Sequence, residues 1–419
     1  MIPRAVRRIL LARGLRAFGD GYVSLLLPLY LLELGFGAFD VGVIATATLL
    51  GSGLLTLMVG LRAHRYHTRS VLLAATALMA ATGVGFALFE QFWPLLLIAF
   101  VGTLNPSSGD VSVFLPLEHA LLSRFATDRD RTAVFARYCL VGTLLAALGS
   151  LAAAAPALVA PSLDMSTKAS LQLMFLLYGV LALLAAFVYR GLPAALETAA
   201  RQPIAPLERS RKRVFILAGL FSLDAFGGGF VVQSMIALWL YQRFDLSLAT
   251  AGTVFFWTGV LSALSFLIAV RIARRIGLVN TMVFTHLPSS LCLIAIPFMS
   301  ELGYVIALLL VRSALSQMDV PTRSSYVMAI VSPAERPAAA SVTSVPRSLA
   351  AAASPALAGY LLSLSSFGWP LIAAGATKIV YDLLLLAMFR RVRPPEEQAQ
   401  RGRPAGPLAA GRSASGPEH

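Results

Sequence analysis

The chain has 419 residues, 58% of them hydrophobic and 13% charged, with a mean hydropathy of +0.77. So much apolar surface does not fit inside one water-soluble core, which excludes an ordinary soluble domain and points to a chain that lives in lipid. The net charge of +14 does not mark a nucleic-acid binder, because the excess arginines fall in alternate short loops rather than on one basic stripe.

Taken in chain order, twelve apolar stretches approach the roughly 20 residues a helix needs to cross hydrocarbon. Their spans are 15–36, 39–61, 70–89, 93–123, 132–156 and 169–190, then 213–241, 247–270, 279–299, 302–330, 337–363 and 367–390. The first follows an Arg-rich segment and runs into further membrane sequence without a small-residue cleavage site. It therefore reads as a membrane helix and not as a cleavable signal. Cys139 and Cys292 both fall inside spans, where they read as small packing residues.

The arginines give the orientation. Arg4, Arg7, Arg8 and Arg13 precede the first span, Arg62, Arg65 and Arg69 follow the second, and Arg124, Arg129 and Arg131 follow the fourth. Arg209, Arg211, Lys212 and Arg213 separate the sixth from the seventh, Arg271, Arg274 and Arg275 follow the eighth, and Arg390, Arg391 and Arg393 follow the last. The intervening loops are nearly free of Arg, so the positive-inside rule places both termini in the cytoplasm and the chain in a bacterial-type inner (cytoplasmic) membrane.

The chain also says nearly the same thing twice. Ala17-Phe18-Gly19-x-Gly21 returns as Ala225-Phe226-Gly227-x-Gly229 at an offset of 208, and Gly42 returns as Gly252 at 210. Ala63-x-Arg65 returns as Ala273-x-Arg275 at 210, and Ser107-x-x-Asp110-Val111 as Ser316-x-x-Asp319-Val320 at 209. A nearly constant register means two homologous halves in the same orientation, as in carriers built from parallel repeats. The expected fold is an all-α polytopic membrane protein of twelve transmembrane helices in two parallel six-helix repeats. The expected units are 1–190, a cytoplasmic linker 191–212, 213–393, and a Pro-, Gly- and Arg-rich disordered tail 394–419.

Two sixes of helices with cytoplasmic ends resemble the major facilitator superfamily. The loop after the second span, Gly60-Leu61-Arg62-Ala63-His64-Arg65-Tyr66-His67-Thr68-Arg69, is similar to the family's loop signature at the first Gly, the Arg and the last basic position. His64 stands where the family has Asp and His67 where it has a second Gly; the second copy keeps Arg275 and Gly277. The resemblance implies gating roles for Arg65 and Arg275. The fourth span, with Gly102-Thr103-Leu104-Asn105-Pro106-Ser107, lacks the Arg followed by Gln-Gly of the drug/proton antiporters, so no substrate is implied.

Ionisable groups at membrane depth cost at least ~2.5 kcal/mol each on insertion scales, which makes every one a functional candidate. In the tenth span Arg312, Ser316, Asp319 and Arg323 are spaced i, i+4, i+7 and i+11, one helical face, with Pro321 expected to bend it. Asp110 is the repeat partner of Asp319. Asp20, Asp110 and Asp319 are the candidate proton-coupling carboxylates. Glu118 and His119 lie near the end of the fourth span, where solvation explains them. Arg16 can neutralise Asp20 at i, i+4, but the repeat also places Asp224 at the Arg16 position, and the family resemblance has helices 1 and 7 facing one another, so an Arg16 to Asp224 gate between halves is a second expectation. Arg347, about eleven residues or roughly 16 Å into its span, joins Arg312 as a cation for an anionic or zwitterionic substrate, with Asp319 and Asp110 as the alternative partners of the two, and Arg323 either serves the same site or forms a structural salt bridge with Asp319. Lys378 and Asp382 read as a structural i, i+4 pair, and His286 as hydrogen-bonded packing. His64 and His67 are surrounded by arginines, so no metal is expected. No phosphate loop or hydrolase triad is present, which argues against an enzyme or a nucleotide-driven pump, and no cofactor is called for.

The sequence thus describes a monomeric secondary carrier in the lipid bilayer, moving a small solute by alternating access, coupled to protons and directed to export. A transporter-shaped sensor or accessory protein without net transport is the alternative. A reporter fused after Arg393 is expected to be active only if it works in the cytoplasm, and one at Glu301 only outside; the reverse at either place removes the topology.

Overall fold

The computed structural model describes residues 4–62, 67–107, 112–125, 131–192, 207, 208, 210–332, 335–390 and 392. The expected tail and most of the expected linker lie outside them. Every regular element among the described residues is helical. The first repeat supplies α1 (Arg4–Glu33), α2 (Ala38–Arg62), α3 (Thr68–Leu88), α4 (Phe92–Val101), α5 (Phe114–Phe125), α6 (Arg131–Ala152), α7 (Ala155–Ser162) and α8 (Thr167–Arg190). The second supplies α9 (Arg211–Gly229), α10 (Gln233–Phe244), α11 (Leu248–Ile276), α12 (Leu278–Ala295), α13 (Leu302–Ser316), α14 (Asp319–Ile330), α15 (Arg336–Leu364) and α16 (Trp369–Phe389).

Ten stretches are long and apolar enough to cross a membrane by length and composition. The other two expected spans are also helical, but one is divided into α4 and α5, and α15 is long without the required apolar run. The division has a sequence cause. The repeated Ser-x-x-Asp-Val segment falls in the gap between α4 and α5 in one half and spans the break between α13 and α14 in the other. Pro116 and Pro321 sit in the first turns of α5 and α14, where a missing N–H leaves no hydrogen bond unmade. The proline therefore starts the second segment of each helix rather than bending a continuous one.

Packing joins α1 to α6 and α8, α3 to α8, α9 to α15 and α16, and α12 to α16. Between repeats the principal contacts are α2 with α15, α6 with α11, and α1 with α10. The two repeated glycines lie in the first two of these. A Cβ on Gly42 would come within 3.0 Å of the Gly359 Cα, and one on Gly252 within 2.5 Å of the Ser150 carbonyl oxygen. Only glycine lets these backbones meet.

The apolar core shows the consequence. At the end away from the termini it is one continuous cluster drawn from both repeats, running through Tyr30, Val41, Phe86, Trp239, Ala251 and Leu362. At the end that carries Arg4 and Arg390 it divides. One cluster there is built only from the first repeat, around Ile9, Leu72, Leu122 and Tyr189, and the other only from the second, around Val214, Val283, Tyr326 and Leu385. The two six-helix groups are thus joined at one end and packed separately at the other.

A side chain at Gly42 should push the joined end apart. Overpacking of this kind costs about 1–3 kcal/mol. Phe39 and Tyr360 meet edge to face there, with ring centroids 6.4 Å apart. Cysteines placed at 39 and 360 are expected to crosslink with a short reagent, and adding Gly42→Leu is expected to lower the yield about tenfold; unchanged crosslinking would refute this interface.

Candidate functional site

Among the described residues, most of the buried charged side chains gather into two clusters, one in each repeat. In the first, α1 presents Arg16 and α5 presents Glu118, and the two form an ion pair. Glu118 is wholly buried and Arg16 is 2% exposed. The carboxylate is further satisfied by two phenols. Tyr138 on α6 donates to Oε2 at 2.6 Å, and Tyr189 on α8 donates to Oε1 at 2.6 Å. The Phe114 ring lies 3.8 Å from the Arg16 guanidinium carbon, and Tyr138 lies 5.1 Å from that of Arg13, so aromatic faces replace water around the cations. One turn along α1, buried Asp20 accepts a hydrogen bond from the Tyr178 hydroxyl at 3.2 Å.

The second cluster is larger. Asp224 on α9 accepts from Lys378 Nζ on α16 at 2.7 Å and pairs with Arg323 on α14 at 3.2 Å. Arg323 also pairs with Asp319, one turn before it. On α12, His286 places Nδ1 3.1 Å from both oxygens of Asp382, while its Nε2 lies 3.4 Å from Lys378 Nζ and 3.7 Å from Asp224 Oδ1. All six side chains are buried.

The repeat relates the clusters. Arg16 and Asp224 occupy one repeat position at the offset of 208, and Phe114 and Arg323 another at 209. Arg16 lies on Phe114 and Asp224 pairs with Arg323, so the two halves make the same inter-helix contact with different chemistry.

These partners differ from several sequence expectations. Arg16 is paired with Glu118 inside the first repeat and Asp224 with Lys378 and Arg323 inside the second, so each partner of the expected gate is taken up within its own half. The ion pair of Arg16 is likewise with Glu118 and not with Asp20. Glu118 is buried rather than solvated, held by Arg16 of α1, Tyr138 of α6 and Tyr189 of α8. Lys378 and Asp382 do not serve each other: Lys378 donates to Asp224, and Asp382 holds His286. The stripe on the tenth span is divided by the break at Gln317 and Met318. Asp319 and Arg323 stay together on α14, whereas Arg312 stays on α13, where its carbonyl accepts from Ser289 Oγ at 3.4 Å and its guanidinium is within electrostatic reach of Cys292.

Of the remaining candidates, Arg347 is exposed on α15, three residues from that helix's midpoint at residue 350. Arg275 is exposed in the last turn of α11, which Gly277 ends at φ +89°. Asp110 and Arg65 lie outside the described residues. Sequence reasoning undervalued Glu118, His286, Lys378 and Asp382. Their only local signal was charge within an apolar run, and His286 and Asp382 are 96 residues apart in the chain.

A family model described as Major Facilitator Superfamily matches residues 9–318. The chain belongs to the major facilitator superfamily. It is 26% identical over 410 residues to an uncharacterized membrane protein of Saccharomyces cerevisiae, covering 90% of this chain and 92% of that one. Among solved structures it is similar to the nucleoside transporter NupG, with a TM-score of 0.70 and 12% identity over 93% of this chain and 100% of that chain. It is also similar to the human organic anion transporter MFSD10, with a TM-score of 0.66 and 18% identity over 92% of this chain and 100% of that chain. A bacterial homologue of the human lysosomal transporter Spinster, in an inward-facing and unoccupied conformation, matches with a TM-score of 0.68 and 14% identity, over 92% and 96% of the two chains. At these identities the structures share the fold. As a superfamily member the chain is a multi-pass membrane transporter, and its two charge clusters lie inside the separate six-helix halves rather than between them.

Removing one partner of a buried ion pair leaves an uncompensated charge and costs about 3–5 kcal/mol. Glu118→Ala is therefore expected to lower the thermal midpoint in detergent strongly. In a double-mutant cycle Arg16 should couple to Glu118 by well over ~0.5 kcal/mol and be additive with Asp224 within that margin; coupling to Asp224 instead would restore the gate between halves.

Proposed function

We propose that this member of the superfamily is a secondary active carrier that moves a small anionic or zwitterionic solute by alternating access, driven by protons. The observation that carries the reading is the division of the apolar core, continuous at one end and split between the halves at the other. Two rigid halves closed at one end and parted at the other are one of the two states such a carrier visits. The parted end carries the arginines, so by the positive-inside rule it opens to the cytoplasm and the protein resides in the inner membrane with both termini inside. Export is the direction we assign, and the proteoliposome assay below tests it.

Arg347 supports the substrate class. It is exposed although it sits at the middle of a membrane-length helix whose neighbours are α2 and α9. A guanidinium cannot rest against lipid tails at that depth, so the exposed face of α15 there is the one that looks into the space between the halves. A cation in that position recognises a carboxylate or phosphate. Asp20, Asp110 and Asp319 are kept as candidate acids, and Arg65 and Arg275 are the proposed gating residues of the two cytoplasmic loops.

The test has two stages. Detergent-purified protein is screened for thermal stabilisation by a panel of organic anions, amino acids and neutral solutes, since a bound ligand raises apparent stability by mass action. Hits are then offered to proteoliposomes with and without a proton gradient. Gradient-dependent movement of an anionic or zwitterionic solute is expected, with Arg347→Gln reducing apparent affinity at least about tenfold, ~1.4 kcal/mol. A protein that binds solute but moves none would be a sensor, and equal behaviour of Arg347→Gln would remove the substrate assignment.

A further inference from the structure

The second cluster holds more carboxylates than permanent cations in ion-pair contact. Asp224, Asp319 and Asp382 are three carboxylates, against which Arg323 and Lys378 set two permanent cations in ion-pair contact. In the first cluster Glu118 has its permanent cation in Arg16. Among the described residues Asp382 meets no permanent cation in ion-pair contact; its partner is His286, whose two ring nitrogens reach Asp382 on one side and Asp224 on the other.

The contacts at Nε2 define what a proton does there. Lys378 Nζ, a donor only, stands 3.4 Å from Nε2, a pairing that requires Nε2 to offer its lone pair and Nδ1 to carry the hydrogen toward Asp382. Once Nε2 is protonated, the ammonium and the imidazolium are two donors facing each other. They must separate, and both have the same acceptor within reach, Asp224. Resting on the carrier reading above, we propose that the coupling proton binds at His286 Nε2 inside the second half. Its arrival turns the imidazolium toward Asp224 and displaces Lys378 from the imidazole. The proton fills the Nε2 lone pair and no other bond is made or broken. Because His286, Lys378 and Asp224 are borne by α12, α16 and α9, the exchange moves α9 and α16 against α12, and α9 is packed on α15, the helix that closes on α2.

Other charged groups face this site without replacing it. From α14 come Asp319 and Arg323, the latter with the Phe221 ring 5.3 Å away. From α16 comes Tyr381, whose ring meets His286 at 6.0 Å. Arg347 on α15 is exposed and within electrostatic reach of Tyr381. Arg312 on α13 lies further along α12 at Ser289 and Cys292. The Arg271, Arg274 and Arg275 group of α11 lies at that helix's end.

The experiment uses the full chain in liposomes without solute, with cysteines at 39 and 360 reporting closure of the joined end between pH 5 and 9. Crosslinking is expected to change with pH in the parent, to lose that dependence in His286→Gln, and to shift in Asp382→Asn toward acid by about tenfold in proton concentration, because the imidazolium loses its carboxylate. Lys378→Met should shift it the other way, by removing the competing ammonium. ¹⁵N-histidine NMR should show one resonance that titrates with the same midpoint and is missing in His286→Gln. A parent-like profile in His286→Gln overturns the assignment; if that variant does not fold, parent-like profiles in both Asp382→Asn and Lys378→Met overturn it. A parent that ignores pH yet moves solute also overturns the site while leaving the carrier intact, whereas a parent that moves nothing in the assay above removes the carrier reading itself.

Discussion

Compensation of buried charge within each half governs how this transporter is put together. Arg16 finds Glu118, and Asp224 finds Lys378 and Arg323, without reaching across the molecule. Had these charges been paired between halves, separating the halves would strand each of them in a medium where an unpaired ion costs several kcal/mol. Among the described residues these pairs are internal, so moving one half against the other need not break them. The seam is made of the shared apolar cluster, glycine-mediated backbone contacts and single hydrogen bonds, such as the Thr46 hydroxyl accepting from the Ala356 amide at 2.9 Å and Tyr241 donating to the Leu25 carbonyl at 3.1 Å. Net contributions of about 1 kcal/mol each can be broken and remade in a cycle.

The breaks in the fourth and tenth spans serve the same end. A straight helix carries a charge at a fixed angle around its axis, and the residues at 118 and 323 would have to point wherever the preceding turns dictated. Ending α4 and α13 and restarting at α5 and α14 frees the second segment to turn its charged face into the half-bundle. The Ser-x-x-Asp-Val repeat lies at these breaks, and the proline in the next turn suits a helix start. The two halves then diverged in charge at the shared positions, Arg16 against Asp224 and Phe114 against Arg323. That divergence leaves the second cluster with three carboxylates, two permanent cations in ion-pair contact and a histidine among them.

The amino-acid order alone determined a good deal. Apolar runs of membrane length, arginines in alternate loops and a motif repeated at 208 to 210 residues specify an all-helical membrane bundle built from two similar units, because hydrocarbon allows few backbone solutions and a repeat in the chain is a repeat in space. The glycines at 42 and 252 were legible as repeated and turned out to mark the close approach of the halves. Arg347 at mid-helix could be counted off from the start of its span. The partners of the charges could not. Periodicity relates residues on one helix, so it offered Arg16 with Asp20 and Lys378 with Asp382, whose ion pairs are instead made between helices, and Asp319 with Arg323, a pair the structure keeps. Glu118 is 102 residues from Arg16, and Lys378 is 154 from Asp224. Which helices lie side by side, and how a broken helix is turned, is settled by the packing of whole faces in three dimensions, and only that packing decides which buried charge meets which.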